Sequence, residues 1–142
     1  MTMNPITITT TINAPREKVW EIFTQPEHIA QWCFASPDWH APRAENDLRV
    51  GGRFLTRMEA RDGSEGFDLT GTYTEVTPLK SYAYTMDGDD QRKVVVTLRD
   101  DEGKTLVTET FDPENENTED LQRAGWQAIL NECKRYAESY DK

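Results

Sequence analysis

The residue with the clearest potential for chemistry is Glu109. Alternation along its segment places Glu109 on the same side as Val107 and Phe111, because successive side chains of a strand point to opposite faces. We expect this side to face the interior of the protein. A carboxyl group in such a position must be paired, hydrogen-bonded or protonated.

Two roles for Glu109 remain open. The structural role is an ion pair with an inward-facing arginine of a neighbouring strand, such as Arg53 or Arg57. The functional role is a polar anchor for a ligand, or a general acid or base whose pKa is raised by burial. A cyclase- or hydrolase-like enzyme would use Glu109, Tyr84 or His40 on a bound ligand, but no recognisable catalytic constellation accompanies these residues.

The histidines and cysteines give little support for metal or covalent chemistry. No cysteine or acidic residue stands at zinc-ligand spacing from His28 or His40. We expect His28 on an exposed helix and His40 in a loop at the mouth of a cavity. Cys33 and Cys133 form neither a CxxC pair nor a metal motif, so each is interpreted as a small buried residue. We therefore expect no metal, no cofactor and no catalytic residue, and enzymatic activity is the less favoured interpretation.

Large aromatic side chains recur along the chain. In strands and helices they usually form core, yet apolar walls with a few phenol or indole donors are also typical of small-molecule sites. Gly125 lies beside Trp126 in the last predicted helix, which indicates either close approach to a sheet or space left for a ligand. The predicted ligand-binding residues are Trp20, Phe23, Trp32, Trp39, Phe54, Phe67, Tyr73, Tyr84, Glu109, Trp126 and Ile129.

The elements that must position these residues begin with a strand at 6–12, where β-branched side chains alternate. Two short helices follow and are separated at Pro26. Asn13 is the expected N-cap of the first helix, and the second covers 27–32. A short strand is expected around 39–44.

The middle of the chain predicts an antiparallel sheet. Its segments alternate in hydrophobicity and are separated by turn residues such as Asp62-Gly63 and the run 87–90. The expected strands after the one at 39–44 are 53–60, 67–76, 79–86, 93–99 and 105–111.

The longest periodic segment covers 118–140. Residues recur there at three- and four-residue spacing, which predicts a helix with one buried stripe and an opposite solvated face. The expected cap is Asn117 or Thr118, and the stripe contains Gln122, Trp126, Ile129, Cys133, Tyr136 or Ala137, and Tyr140. The order β-α-α-β6-α favours an α+β architecture over repeated βαβ units.

The composition limits the classes of partner. The chain has 142 residues and a net charge of −10, which argues against nucleic acid and against insertion into an anionic membrane. No leader or transmembrane segment is recognised. We expect a single domain over 1–142, a cytoplasmic location, and a monomer or homodimer.

Several motifs together carry a resemblance to a known family. They are DLRVGGRF at 47–54, MEARDG at 58–63, GFD at 66–68 with GTY at 71–73, VTETF at 107–111 and QRAGWQAIL at 122–130, supported by APREKVW at 14–20 and by Trp32. This combination resembles the Hsp90 ATPase activator homologue 1-like (AHSA1-like) family of the START/Bet v 1-like (SRPBCC) superfamily, over essentially the whole chain.

The resemblance implies a helix-grip (START/Bet v 1-like) fold, in which a curved antiparallel sheet wraps around a long C-terminal helix. It also implies an apolar cavity between that helix and the sheet, and hence a hydrophobic or aromatic small molecule as the partner. The alternative that it implies is a stress-related co-chaperone of an Hsp90-type chaperone. The eukaryotic namesake carries a second, N-terminal domain, of which we expect no counterpart here.

Overall fold

The computed structural model describes residues 4–88, 91–114 and 117–139. Its elements follow the predicted order, with a long antiparallel sheet interrupted only by the two short helices and ended by a third. They are β1 (Ile6–Ile12), α1 (Arg16–Thr24), α2 (Pro26–Trp32), β2 (Trp39–Asn46), β3 (Arg53–Ala60), β4 (Gly66–Thr77), β5 (Ser81–Met86), β6 (Lys93–Asp101), β7 (Lys104–Phe111) and α3 (Glu119–Ser139).

The strands form one seven-stranded sheet in the order β1-β7-β6-β5-β4-β3-β2, and all neighbours are antiparallel. Only the β1–β7 pairing joins distant parts of the chain. The sheet curls into a half-barrel around α3, which confirms the predicted α+β helix-grip fold. The concave side of this half-barrel is where the inward side chains of every strand meet.

Alternation determines the concave face of the sheet. On β6, Val94, Val96 and Leu98 are buried and the residues between them are exposed. The same alternation buries Phe54 and Met58 on β3. These side chains join the aliphatic residues of β1 and α1 in a single hydrophobic cluster, which predicts that core substitutions in either layer destabilise the whole unit.

Helix α3 covers the free edge of β1. Arg123, Gln127 and Lys134 each donate a side-chain hydrogen bond to a backbone carbonyl of β1, at 2.8, 3.4 and 2.7 Å. These three residues belong to the face that was predicted to be solvated, and their side chains also reach the edge of the sheet. An edge strand carries unpaired backbone groups, and these polar side chains protect that edge from pairing with another chain.

The two short helices differ from the prediction in detail. Helix α1 has Pro15 as its N-cap residue and no side-chain cap, so Asn13 is not the cap. The backbone N–H of Asn13 instead donates to Glu138 on α3 at 2.8 Å. His28 is buried, not exposed, and its Nδ1 lies 2.7 Å from the hydroxyl of Tyr136. Packing of α2 against α3 buries it, which local periodicity does not show.

Helix α3 begins as predicted. The hydroxyl of Thr118 accepts a hydrogen bond from the N–H of Leu121 at 3.1 Å and so acts as the N-cap. Cys133 and Ala137 are fully buried, and Leu130, which the prediction omitted, joins them. The predicted stripe residue Tyr140 and half of the predicted turn at 87–90 lie outside the described residues. No helix in the described part of the chain is long and apolar enough to cross a membrane.

Candidate functional site

A cavity of about 360 Å³ lies between α3 and the concave face of the sheet, with α1 and α2 at one side. Its size is at the lower end of the range for small-molecule sites. Seven of the eleven predicted ligand-binding residues line it: Phe23, Trp32, Phe67, Tyr84, Glu109, Trp126 and Ile129. Residues from three helices and the central strands thus meet at one space.

Glu109 points into this cavity from β7. Its strand neighbours in register are Ile8 on β1 and Val96 on β6, both buried and apolar. Within residues 4–88, 91–114 and 117–139, no hydrogen-bond or ion-pair partner of its carboxyl group is found.

The proposed ion pair of Glu109 with Arg53 or Arg57 is wrong. Arg53 lies on the outer face of β3 and holds Asp87 in a two-pronged pair, at 2.9 and 2.5 Å. Arg57 also points outward and pairs with Glu59 at 2.9 Å. The physical reason is alternation: Phe54, Thr56 and Met58 fill the inner face of β3, so the arginines between them must face out.

Burial raises the pKa of Glu109 to about 7. No neighbouring charge or hydrogen bond offsets this effect, so burial is its only cause. The group therefore changes charge near neutral pH, where an ordinary glutamate is fully ionised. A carboxyl of this kind can either donate or accept a hydrogen bond towards the cavity.

Two tyrosines of β5 accompany Glu109. Burial raises the pKa of Tyr82 and of Tyr84 well above the usual value, and the nearby Glu109 raises both further. Both phenols are therefore neutral over the physiological range. Neither hydroxyl has a hydrogen-bond partner among the described residues, so both are available to a molecule in the cavity.

The cysteines near the cavity are poor nucleophiles. Burial, and then the proximity of Glu109, raises the pKa of Cys33 to about 12. The same two causes raise the pKa of Cys133 well above its usual value. Both are free, buried thiols. Because the thiolate is the reactive form, neither cysteine is activated for attack at neutral pH.

The aromatic walls are held rigidly. Trp126 stacks on the fully buried ring of Phe111, with centroids 3.9 Å apart and planes inclined by 8°. The indole N–H of Trp32 donates to the carbonyl of Ile22 at 3.0 Å, and Phe23 packs on the Trp32 ring at 5.3 Å. These rings therefore keep their orientation whether or not the cavity is filled.

Four predicted ligand-binding residues do not line the cavity: Trp20, Trp39, Phe54 and Tyr73. Each instead packs against a ring that does. Trp20 contacts Tyr82 at a centroid distance of 6.0 Å, and Trp39 contacts Phe67 at 6.1 Å. Phe54 and Tyr73 both contact Tyr84, at 4.7 and 6.1 Å.

Packing between strands explains why Phe54 and Tyr73 do not line the cavity. The Phe54 ring occupies the space above Gly71, where a Cβ atom would meet it at 2.7 Å. The Tyr73 hydroxyl is turned away to Asn46, to which it donates at 2.6 Å. These rings share the inner face but are directed at neighbouring strands rather than at the cavity.

Sequence reasoning missed part of the lining. Tyr82 and Met86 share a face with Tyr84, and Met58 shares one with Phe54, so the strand pattern could have found them. No sequence signal marks the residues at the rim. The additional lining residues are Cys33, Met58, Leu69, Tyr82, Met86, Arg92, Val96, Glu114, Asn117, Leu121, Gln122 and Gly125.

The cavity opens near the N-terminus of α3. Leu121 is 60% exposed and Phe67 is 49% exposed, although both also line the cavity. A Cβ atom built on Gly125 meets nothing within 4 Å. Close approach to the sheet is therefore not the reason for the glycine.

The histidines lie elsewhere. His40 is part of β2, where its Nε2 is 3.7 Å from Glu59, and it does not line the cavity. The prediction that places it at the cavity mouth was wrong, because His40 belongs to β2, the edge strand of the sheet. No group of three or more His, Cys, Asp or Glu side chains suited to a metal occurs in the described ranges.

Comparison with known proteins agrees with this architecture. Residues 13–138 match the sequence model of a family described as Activator of Hsp90 ATPase homolog 1-like protein. Among proteins with curated descriptions, none matches the chain.

Solved structures resemble the chain over nearly its full length. An AHSA1-like protein from Aeromonas hydrophila is 42% identical, with 96% of this chain and 99% of that one covered and a TM-score of 0.84. Chr148 from Cytophaga hutchinsonii is 44% identical, with 99% of each chain covered and a TM-score of 0.81. The Aha1 dimer from Colwellia psychrerythraea, 18% identical with 96% and 98% covered, shares the fold at a TM-score of 0.74.

Proposed function

This chain belongs to the Activator of Hsp90 ATPase homolog 1-like family, and from that premise we propose that it binds a hydrophobic or aromatic small molecule between α3 and the sheet. The observation that carries the proposal is the cavity of about 360 Å³ with its aromatic walls. An empty cavity of this kind destabilises a folded domain, because the side chains around it lose packing contacts. A bound ligand would restore those contacts.

The shape of the walls supports a flat ligand. Trp126 and Trp32 are each fixed by their own contacts, so they offer preformed apolar faces. A preorganised site loses little conformational entropy when a ligand enters. Met58 on β3 and Met86 on β5 line the cavity from the sheet, and their flexible side chains can adapt to the shape of a ligand.

The polar groups support a ligand with one polar end. Glu109, Tyr82 and Tyr84 present a carboxyl and two hydroxyls without protein partners in the described part of the chain. A few convergent polar groups in an apolar pocket are the usual source of orientation and specificity. The ligand's polar end is therefore placed deep in the cavity and its apolar body toward the opening at Leu121.

Two experiments test this proposal. Native mass spectrometry of protein purified from its own cells should detect a bound small molecule, which is released on unfolding. In a second, defined assay, calorimetric titration with 2-naphthalenemethanol should show binding to the wild-type protein. Gly125→Leu should weaken it by at least tenfold, because the new side chain grows into open space at the cavity wall.

Ala124→Leu is the matched control, since Ala124 precedes Gly125 on α3 and is exposed. It adds the same side chain to the same helix without entering the cavity. Equal binding to the wild-type and both variants would locate the ligand elsewhere. Absence of both a co-purifying molecule and probe binding would refute the proposal.

A further inference from the structure

We propose that the cavity selects an organic cation, whose protonated amine lies against Glu109 and whose apolar body fills the space lined by Trp126 and Tyr84. This inference rests on the proposed function and adds the chemical class of the ligand. It stands on the placement of one carboxyl group that has no positive partner in the described part of the chain, inside an apolar space large enough for a small molecule.

Among the described residues, no positive charge contributes to the pKa of Glu109. The titratable groups that act with it are the thiols of Cys33 from the end of α2 and Cys133 from α3, and the phenols of Tyr82 and Tyr84 from β5. All four are neutral at physiological pH. From β1 and β6 it meets the apolar Ile8 and Val96.

Arg92 is the one basic residue among the described lining residues. Its charge acts on Tyr84, whose pKa it lowers, but it makes no contribution to the pKa of Glu109. Glu114 lines the same cavity and contributes a second acidic group to it. The described lining residues thus include two acidic groups and one basic group.

The aromatic walls favour a cation as well. Faces of tyrosine, tryptophan and phenylalanine attract ammonium groups, and more strongly where water is excluded. Tyr82 and Tyr84 lie nearly parallel, inclined by 19°, beside Glu109. A carboxylate with electron-rich rings around it complements an alkylammonium in charge and in shape. It repels a carboxylate ligand, which would bring a second negative charge beside Glu109.

The charge of the whole protein acts in the same direction. The chain carries a net charge of −10. A field of this sign raises the local concentration of cations and lowers that of anions near the opening of the cavity. A neutral alcohol experiences neither effect, so it is the reference against which charge selection is measured.

The test uses three probes that share one bicyclic body. They are 2-(aminomethyl)naphthalene, 2-naphthalenemethanol and 2-naphthoate, which are cationic, neutral and anionic. Affinities for the full chain are measured by calorimetry at about pH 8.5 and about pH 5, values on either side of the range in which Glu109 titrates. The amine keeps most of its positive charge at both pH values, since an arylmethylamine is only somewhat less basic than the lysine amine, which titrates at about pH 10.

At the higher pH the amine should bind at least tenfold more tightly than the alcohol, and the naphthoate should bind least. The preference for the amine should fall toward one as the pH falls, because protonation of Glu109 removes the negative charge. In Glu109→Gln the preference should be much smaller at the higher pH and should no longer depend on pH, because only the aromatic faces and the net charge of the protein still favour the amine.

Glu75→Gln serves as the matched control, because it removes the same charge from an exposed position on β4. It should leave the amine preference unchanged. Equal affinity of amine and alcohol for the wild-type protein, or an amine preference that is undiminished in Glu109→Gln, would overturn the inference while leaving ligand binding in place. If none of the three probes binds, the proposed function fails and this inference fails with it.

Discussion

Glu109 destabilises the folded protein at neutral pH in the absence of a ligand. Its pKa is raised from 4.5 to about 7, so the folded state binds a proton more tightly than the unfolded chain does. For an acid shifted in this direction, the free energy of unfolding falls as the pH rises from the unfolded to the folded pKa. Groups with pKa values perturbed in this way cluster at functional sites.

Replacing Glu109 by glutamine should therefore stabilise the protein, and only at high pH. Relative to the wild type, the variant should gain up to about 3 kcal/mol in free energy of unfolding above pH 7, and little below pH 4.5, since the shift of the pKa from 4.5 to about 7 sets both limits. Urea unfolding of both proteins across this range measures the difference. A variant that is less stable at every pH would show that the carboxyl has a structural partner.

Burial also raises the pKa values of the cysteines and tyrosines near Glu109. Burial raises the pKa of Cys33 to about 12 and raises the pKa of Tyr82 well above its usual value. An apolar environment disfavours the charged form of an acid, so these thiols and phenols stay protonated at neutral pH. Only Glu109 begins from a low enough pKa to titrate near neutrality.

Two glycines, one in a strand and one in a helix, have opposite surroundings. Gly71 on β4 lies beneath the ring of Phe54 and close to the backbone carbonyl of Thr85, 2.6 Å from where a Cβ would be. Gly125 on α3 faces open space at the cavity wall. The first allows two strands and a ring to approach, whereas the second keeps a volume empty.

The same substitution should thus have opposite effects at the two positions. Gly71→Ala should destabilise the protein by about 1–3 kcal/mol, since overpacking forces the ring and strand apart. Gly125→Ala should stabilise it by up to about 1 kcal/mol, because alanine is the better helix former and its Cβ has room. Chemical denaturation of the two variants tests this. A comparable loss at both positions would contradict the different surroundings of the two glycines.

Helix α3 contacts both the cavity and the free edge of the sheet. One side lines the cavity through Trp126 and Ile129, and another closes the edge of β1 through Arg123, Gln127 and Lys134. A helix that only covered a core would not need the polar side chains to reach a strand edge. The half-barrel is completed by this helix, so the cavity exists only in the assembled tertiary structure.

The charge of the whole molecule gives a prediction of its own. With 26 acidic and 16 basic residues, self-repulsion opposes the compact state at neutral pH. Added sodium chloride should therefore raise the melting temperature between low ionic strength and about 0.2 M, where the Debye length falls below about 8 Å. Thermal unfolding followed by circular dichroism measures it. A melting temperature that falls with salt would mean that the surface ion pairs outweigh the repulsion.

The sequence alone determined the order of the elements and the inward direction of Glu109. Both follow from local periodicity, which a residue shares with its neighbours along the chain. The same alternation on β3 carries Arg53 and Arg57 outward, and it excludes them as partners of Glu109. The resemblance in motifs such as DLRVGGRF at 47–54 indicated the family and the helix-grip fold, which the structure and the comparisons confirm.

Only the tertiary structure decided which rings meet the cavity and which support them. Trp20 and Tyr82 both lie on inward faces, yet only Tyr82 borders the cavity, because α1 places the tryptophan behind it. His28 is buried because α3 brings Tyr136 to it across 108 residues of chain. Periodicity predicts which face of its element a side chain lies on. The neighbours of that side chain depend on how the elements pack against each other, which is a property of the whole chain.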